Sequence, residues 1–271
     1  MSEALPNVAA VVNEASASLS ATGHLAATRD RWHELRRLVL AMTPSLSAPQ
    51  AGGAGLCRVC RGPSRRSSAR CFHCELHGQC GGDSLADVVL PVVFAPKGSP
   101  IAQYLWQYKL PSPSAEATAA GAALLALLLV FLRDHGSCCW RSAGFGRPSH
   151  VAVVPTAQGR PGVHPLRALL TPYLGWPWAE LAARPDQRER DLDPGRFDAA
   201  PVPDARVLLV DDTWTTGASA QSAAMALRRA GARSVATVVI GRHLRQAALD
   251  WAAMPFRMES CAAHHGVGVA G

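Results

Sequence analysis

The chain has 271 residues, enough for one sizeable α/β domain plus a small module, and its apolar share of 48% is that of an ordinary globular protein. Its net charge of +7 comes almost wholly from arginine, since Lys97 and Lys109 are the only lysines. This balance favours phosphate ligands or nucleic acid without choosing between them, because guanidinium groups bind phosphate oxygens bidentately. The N-terminus has no basic region followed by an apolar core, so we expect no signal peptide.

Cysteine usage and hydropathy indicate the cellular compartment of the protein and its relation to membranes. Eight cysteines, four of them in paired spacing, indicate metal binding in a reducing compartment and not disulfides, so we expect a cytoplasmic protein. The longest uncharged apolar run, residues 117–132, covers roughly 16 residues, whereas a bilayer requires about 20. It predicts a buried helix and no membrane insertion.

The first part of the chain is predicted to be loosely organised. Residues 1–28 are rich in small and polar side chains, and Arg29–Met42 follows with apolar residues at helical spacing. The stretch 43–55 is rich in Pro, Ser and Gly and indicates a linker. We therefore predict four parts: a flexible segment 1–55 with a short helix, a cysteine module 56–82, a main domain 83–245 and a C-terminal tail 246–271.

The main domain is predicted to alternate strands with helices, which favours an α/β fold with a parallel sheet flanked by helices. A strand at Val88–Phe94, interrupted at Pro91, precedes a short aromatic helix at 100–110 and a long helix to about residue 134. Residues 184–203 are polar and charged, so we expect an exposed connection there. Further strands are predicted at 151–154, 207–210 and 234–240, and further helices at 165–170 and 216–230, the last of them ending at Gly231.

The most specific feature of the sequence is residues 207–219, VLLVDDTWTTGAS. A buried strand leads to two adjacent carboxylates, Asp211 and Asp212, and a hydroxyl-rich turn with Gly217 then opens an alanine-rich helix. Backbone N–H groups at a helix N-terminus bind anions, and glycine permits the positive φ of a tight turn. Carboxylates beside an anion site suit the hydroxyls of a sugar that carries a phosphate. A capped helix with exposed aspartates is the plainer alternative.

Four cysteines form a second motif near residue 60. Cys57 and Cys60 make one Cys-x2-Cys pair, and Cys71 and Cys74 make another, with ten residues between the pairs. Two such pairs close a tetrahedral site, so we predict a structural zinc ion. Free thiols in a loop are the alternative. Three nearby residues are close enough in sequence to replace one ligand, namely His73, His77 and Cys80.

Residues 207–219 resemble the phosphoribosyl diphosphate (PRPP) motif of the type I phosphoribosyltransferases. The resemblance implies that Asp211 and Asp212 take the ribose hydroxyls, act in catalysis and help to hold a hydrated Mg²⁺. It implies a pyrophosphate loop after an earlier strand, where Thr156 and Arg160 are candidates. The reaction would displace pyrophosphate at C1 of the ribose. The implied PRPP-binding loop comprises Thr213, Thr215, Thr216, Gly217, Ala218 and Ser219, with the 5′-phosphate on 215–219.

A four-cysteine module that precedes such a motif resembles the ComF family, the competence-associated phosphoribosyltransferase-like proteins. The resemblance covers roughly residues 56–242 and implies a type I phosphoribosyltransferase fold with a small N-terminal zinc module. An aromatic-lysine segment at 106–109 and an arginine segment at 187–190, followed by Phe197, agree with it. The stretch 162–167 departs from the Arg-Gly-Phe-Asn-type segment usual in the family, which puts the second substrate in doubt. Trp214 also departs, and either stacks on a base or packs under the loop.

Two functions follow from these motifs. The first is a Mg²⁺-dependent phosphoribosyltransferase that binds PRPP or another 5-phosphoribosyl compound and has an unknown acceptor. The alternative is a competence-associated protein that binds single-stranded DNA, or competence proteins, on a non-catalytic scaffold. Trp106, Tyr108 and Lys109 are the local candidates for contacts with DNA.

Several weaker signals leave alternatives open. Cys261, His264 and His265 either bind a metal or lie in a mobile tail. Cys138 and Cys139 are expected to be buried or semi-buried thiols. Four arginines form either a solvated face or a lid over PRPP: Arg184, Arg188, Arg190 and Arg196.

Overall fold

The computed structural model describes residues 29–65, 67–110, 114–156, 163–184 and 191–263. Within these ranges the helices are α1 Arg29–Met42, α2 Phe72–Gly81, α3 Pro100–Gln107, α4 Ala115–Ser142, α5 Pro165–Leu170, α6 Ala218–Arg229 and α7 Leu249–Ala252. The strands are β1 Ser47–Pro49, β2 Val88–Phe94, β3 His150–Val153, β4 Leu181–Ala183, β5 Phe197–Ala199, β6 Arg206–Trp214, β7 Ser234–Arg242 and β8 Ala253–Pro255.

A six-stranded sheet with the order β3-β6-β7-β2-β1-β8 forms the centre of the molecule. The first four of these strands pair in parallel, and β1 and β8 add an antiparallel edge. The chain is therefore a mixed α/β protein with a mostly parallel sheet, as the alternating pattern predicted. Strand β6 lies inside this sheet, and its apolar run at residues 207–210 is fully buried because helices cover both faces.

The residues of β6 show how the two faces of the sheet are covered. Leu208 and Val210 pack into a core with the apolar residues of α1 and α4. Val207 and Leu209 point to the other face, where they pack with the alanines of α6. This alternation leaves the carboxyl end of β6 as the point where polar side chains emerge from the sheet.

Helix α4 is longer than its apolar run predicted, since it ends at Ser142 and not near residue 134. Ser114 caps it by accepting a hydrogen bond from the backbone N–H of Ala117 at 3.1 Å. Among the described helices it is the one that is long and apolar enough to cross a membrane, and 72% of its apolar window is buried inside the protein. The core helix of a globular domain has the same properties.

The stretch 43–55 is not a simple linker. Ser47–Pro49 form β1, which pairs with β8 across more than two hundred residues of sequence. Helix α1 was predicted with its observed bounds, but it packs into the main core through Trp32, Leu35 and Val39. Both contacts are long-range, so local composition gives no sign of them. The proposed domain boundaries at 55, 82 and 245 stay predictions.

Two further predictions about the chain path were wrong in detail. The connection 184–203 contains β5, which pairs with β4, and it carries the fully buried Phe197. Strand β2 continues through Pro91 without interruption, and β1 contacts β2 only at Phe94, so proline lies where one edge of the strand has no partner strand.

Candidate functional site

Residues 215–217 join β6 to α6, and we call them the anion loop because they lead into a helix N-terminus, where anions can bind. Strand β6 continues through Asp211 and Asp212 to Trp214, four residues beyond the predicted end. Gly217 is the N-cap residue of α6 and has φ 86°, and Thr216 Oγ1 accepts a hydrogen bond from the N–H of Ala218 at 3.3 Å. The first-turn N–H groups of a helix have no partners within the helix, so they face this turn as potential anion ligands.

Trp214 forms the floor of the turn. Its side chain is 1% exposed, which decides between the two roles that the sequence left open, because a buried ring under the loop cannot stack on a ligand base. A Cβ atom at Gly217 would lie 2.0 Å from Trp214 Cζ2. Both the positive φ and the ring beneath therefore require glycine at this position.

The second carboxylate of the motif, that of Asp212, contacts two other side chains of the protein. Asp212 is buried, its Oδ2 lies 2.7 Å from Lys109 Nζ, and the same oxygen accepts a hydrogen bond from the Tyr108 hydroxyl. Tyr108 and Lys109 directly follow α3, and Tyr108 is itself buried. Sequence reasoning named both residues as DNA contacts, whereas their side chains turn inward to the carboxylate. Their position in a short aromatic-lysine segment gave no sign of this partner.

The first carboxylate has a different environment. Asp211 is partly buried, and burial together with the neighbouring Asp212 raises its pKa to about 8, although Lys109 acts in the opposite direction. Two adjacent carboxylates in a partly dry site resist double ionisation, and the lysine stabilises the charge on one of them. The raised pKa favours the protonated form of Asp211 in the unliganded protein.

Arg242 fixes the loop from the neighbouring strand. Its Nη1 donates to the carbonyl oxygens of Thr215 at 2.7 Å, Trp214 at 3.1 Å and His243 at 2.7 Å. Arg242 lies at the end of β7 in register with Trp214 at the end of β6, so the sheet brings the guanidinium to the loop. Sequence reasoning missed this residue. An arginine at the end of the next parallel strand was the available signal.

Arg196 approaches the same loop from the other side. Its side chain is 1% exposed, and its Nη1 donates to Ser219 Oγ at 2.9 Å. Of the four arginines assigned to a lid or a solvated face, this one is buried at the start of α6. Arg184 pairs with Asp198 on the surface, and Arg188 and Arg190 lie outside the described residues.

Of the two residues predicted to bind pyrophosphate, Thr156 and Arg160, the structure describes only Thr156. Thr156 follows β3, whose Val153 pairs with Val210 of β6, so Thr156 lies at the same sheet edge as the carboxylates. Arg160 and the loop around it lie outside the described residues. Thr156 also lines a cavity of about 500 Å³ together with His164, Arg167 and Trp178. The Arg167 guanidinium lies 4.8 Å from the centre of the Trp178 ring and is paired with the carboxylate of Glu180, so this wall of the cavity carries an aromatic ring and an ion pair.

The four cysteines of the predicted module come together. The Sγ atoms of Cys57, Cys60, Cys71 and Cys74 all lie within 4.8 Å of one another, and Cys60 Sγ lies 3.8 Å from Cys71 Sγ. A tetrahedral zinc site with Zn–S bonds of about 2.3 Å requires S···S separations of about 3.8 Å. The residues therefore fit a structural metal ion. Hydrogen bonds from the other three thiols hold the pKa of Cys57 below its usual range.

The three alternative ligands, His73, His77 and Cys80, are not part of the four-cysteine cluster. Cys80 is exposed, and the cluster formed by the described residues contains only the four cysteines. His77 is buried, and burial lowers its pKa to about 4. The module also touches the anion loop indirectly, because a Cβ at Gly62 would lie 2.9 Å from Arg242 Nη2.

No protein-family model matches the sequence. No curated protein matches it either. Among solved structures, the chain is similar to a purine phosphoribosyltransferase from Pyrococcus horikoshii Ot3, with 14% identity over 47% of this chain and 89% of that chain and a TM-score of 0.27.

Proposed function

We propose that the protein binds PRPP, or another 5-phosphoribosyl compound, at the β6–α6 loop and transfers the phosphoribosyl group to an acceptor. The observation that carries this proposal is the turn at Gly217, which joins two carboxylates at a strand end to the N-terminus of α6. Helix N-termini bind phosphate through backbone N–H groups, and Thr215, Thr216 and Ser219 add hydroxyl donors. The buried charges of Arg196 and Arg242 further favour an anion here.

In this proposal each carboxylate has its own role. Displacement of pyrophosphate from C1 of the ribose breaks the C1–O bond and builds positive charge on the sugar ring. Once Asp211 has lost its proton, it and Asp212 would accept hydrogen bonds from the ribose hydroxyls and stabilise that charge. Asp212 must then share its oxygens with Lys109 and Tyr108, or release them, when the sugar binds.

We propose that Mg²⁺ binds together with the substrate. The pairing of Asp212 with Lys109 leaves no ready-made pair of free carboxylates for a divalent cation. Mg²⁺ commonly binds through substrate phosphates, waters and one or two carboxylates, so the diphosphate would supply most of its ligands and Asp211 would assist. The cavity at Thr156 and Trp178 is the proposed place for the acceptor, because it opens at the same sheet edge.

The enzyme proposal is tested by pyrophosphate release from PRPP with a set of bases and amines as acceptors. We expect release in the wild type, and loss of at least about 100-fold in Asp211→Asn, because removing one transition-state interaction typically costs this much. The exposed Asp250→Asn variant is the matched control and should keep the wild-type rate. PRPP binding without release for any acceptor would contradict transfer and leave only recognition of PRPP.

We further propose that the four-cysteine cluster holds zinc and that the chain is a cytoplasmic member of the ComF family. The combination of a metal cluster with the phosphate motif supports this, and so does the contact between the cysteine loop and Arg242. Zinc fits because its tetrahedral thiolate sites have the observed sulfur spacing. Metal analysis that finds another ion, or none, in the purified protein would contradict the zinc assignment.

A role in single-stranded DNA binding is the second candidate. The net charge of +7 and the side chain of Trp106, which is 65% exposed next to Lys109, favour it. An exposed indole can stack on bases, and arginines can follow the backbone. We expect steeply salt-dependent binding that Trp106→Ala weakens. An affinity that stays constant as salt rises would contradict this candidate.

A further inference from the structure

A second cluster of metal-ligand side chains lies between α4 and the C-terminal segment. It consists of His135, Cys138 and Cys261, whose ligand atoms all lie within 4.8 Å of one another. His135 and Cys138 are three residues apart on α4 and therefore neighbours on one face of that helix. Cys261 comes from the segment after β8. The sequence associated Cys261 with His264 and His265 in a tail, whereas the structure buries it against α4.

The hydrogen bond of His135 defines the state of its ring. Its Nε2 lies 2.6 Å from the carbonyl oxygen of Met258. A carbonyl oxygen only accepts, so Nε2 carries the proton and Nδ1 keeps a lone pair. Histidines that bind metals usually donate their other N–H to such an oxygen, which fixes the tautomer and the ring orientation.

The surroundings of the cluster suit a metal ion that prefers sulfur. His135, Cys138 and Cys261 are at most 9% exposed, and apolar residues such as Phe131 and Phe256 belong to the same core. Two thiolates and one imidazole form a soft donor set, which selects Zn²⁺ or Cu⁺ over Mg²⁺ or Ca²⁺. Three protein ligands leave one tetrahedral position for water or an added thiol.

We propose that His135, Cys138 and Cys261 form a second metal site for a thiophilic d10 ion, Zn²⁺ or Cu⁺, which fastens the C-terminal segment to α4. This site is separate from the four-cysteine cluster, whose thiols pack with the α6 side of the sheet. It does not depend on the proposed transferase function. It predicts that the purified full-length chain carries one ion at each cluster.

Metal content of the full-length protein tests this proposal. Elemental mass spectrometry should find two ions per chain, and should identify whether the second is zinc or copper. The double variant Cys138→Ser with Cys261→Ser should lose one ion and keep the other. Cys80→Ser, which removes an exposed thiol outside both clusters, is the matched control and should keep both ions.

A second variant separates ligand loss from misfolding. His135→Gln keeps an N–H donor for Met258 but removes the imidazole lone pair, so it should also lose one ion while its circular dichroism spectrum stays native. One ion in both the wild type and the Cys138/Cys261 variant would overturn the proposal and leave these residues as packing only. A disulfide between Cys138 and Cys261 in freshly purified protein, with one metal ion, would overturn it as well.

Discussion

At the scale of single residues, the anion loop depends on the close packing of Gly217 against the ring of Trp214. Gly217 lies directly on the ring of Trp214, and its positive φ lets the chain turn from β6 into α6. Any side chain at this position would push the ring or the turn out of place. The same glycine therefore serves the local conformation, the packing of a buried tryptophan and the direction of the helix N-terminus.

Replacement of Gly217 by alanine should destabilise the fold and disturb the loop together. Gly144→Ala is the matched control, because Gly144 also has a positive φ of 77° but a Cβ there meets nothing within 4 Å. We expect the control to cost about 1 kcal/mol of unfolding free energy and Gly217→Ala about 2–4 kcal/mol. Urea denaturation of both variants measures this. Equal losses would show that the Trp214 ring imposes no additional constraint.

The pKa of Asp211 makes stability depend on pH. This pKa is raised from 3.8 to about 8, so between these values the folded protein holds a proton that the unfolded chain has lost. Stability must then fall as pH rises through that range. Asp211→Asn removes this term, so its stability advantage over the wild type should grow as pH rises.

Denaturation curves of the wild type and Asp211→Asn at several pH values test whether stability falls as pH rises. The exposed Asp250→Asn variant should follow the wild type throughout. If the difference between wild type and Asp211→Asn is constant across the range, Asp211 is ionised in the folded protein and its proposed protonated state is wrong.

At the scale of elements, the site is assembled where β3, β6 and β7 end and where the chain after α3 returns to the sheet. Parallel strands deliver Thr156, the two aspartates and Arg242 to one edge. The connection from α3 adds Lys109, which pairs with the charge of Asp212, and Tyr108, which donates a hydrogen bond to the same carboxylate. A ribose that approached Asp212 would compete with these two side chains, so the connection is part of the site.

Removal of the lysine charge should destabilise the folded protein. Lys109→Met leaves the carboxylate of Asp212 buried with the Tyr108 hydroxyl, and we expect a stability loss of about 1–3 kcal/mol because the pair is only partly shielded from water. The exposed Lys97→Met variant, at the other lysine of the chain, should lose almost nothing. Thermal unfolding of both measures the difference. An unchanged Lys109→Met would contradict a structural role for this ion pair.

The sequence predicted the local part of this arrangement and not its long-range part. Helix α1, helix α5 and the core of β6 followed from apolar periodicity, and the cysteine pairs followed from spacing. The pairing of β1 with β8, the burial of Arg196 and the contact of Lys109 with Asp212 join residues far apart in sequence. Such contacts form only when the chain packs into its tertiary structure. The sequence around each residue therefore does not indicate its partner.

At the scale of the whole molecule, the cysteine module contacts the residue that holds the anion loop in place. Gly62 in the cysteine module packs against Arg242, and Arg242 holds the carbonyl groups of the loop. Metal binding to four thiolates fixes a small segment that has little core of its own. Loss of that metal should therefore reach the loop through Arg242.

Cys57→Ser should lower the melting temperature and weaken PRPP binding together. We expect a drop of at least about 5 °C, which corresponds to a few kcal/mol in a domain of this size. The exposed Cys80→Ser variant should melt as the wild type does. Scanning calorimetry and titration with PRPP give both quantities. Wild-type PRPP affinity in a destabilised Cys57→Ser variant would contradict the link between the module and the loop.

The most direct test of the central claim is the melting temperature of the full-length chain with and without PRPP and Mg²⁺. A ligand at about 100 times its Kd stabilises the folded state by about 2.7 kcal/mol, so we predict a rise of roughly 5–10 °C. The double variant Asp211→Asn with Asp212→Asn should show no rise while remaining folded. No rise in the wild type, or an equal rise in the double variant, would contradict a PRPP site at the end of β6.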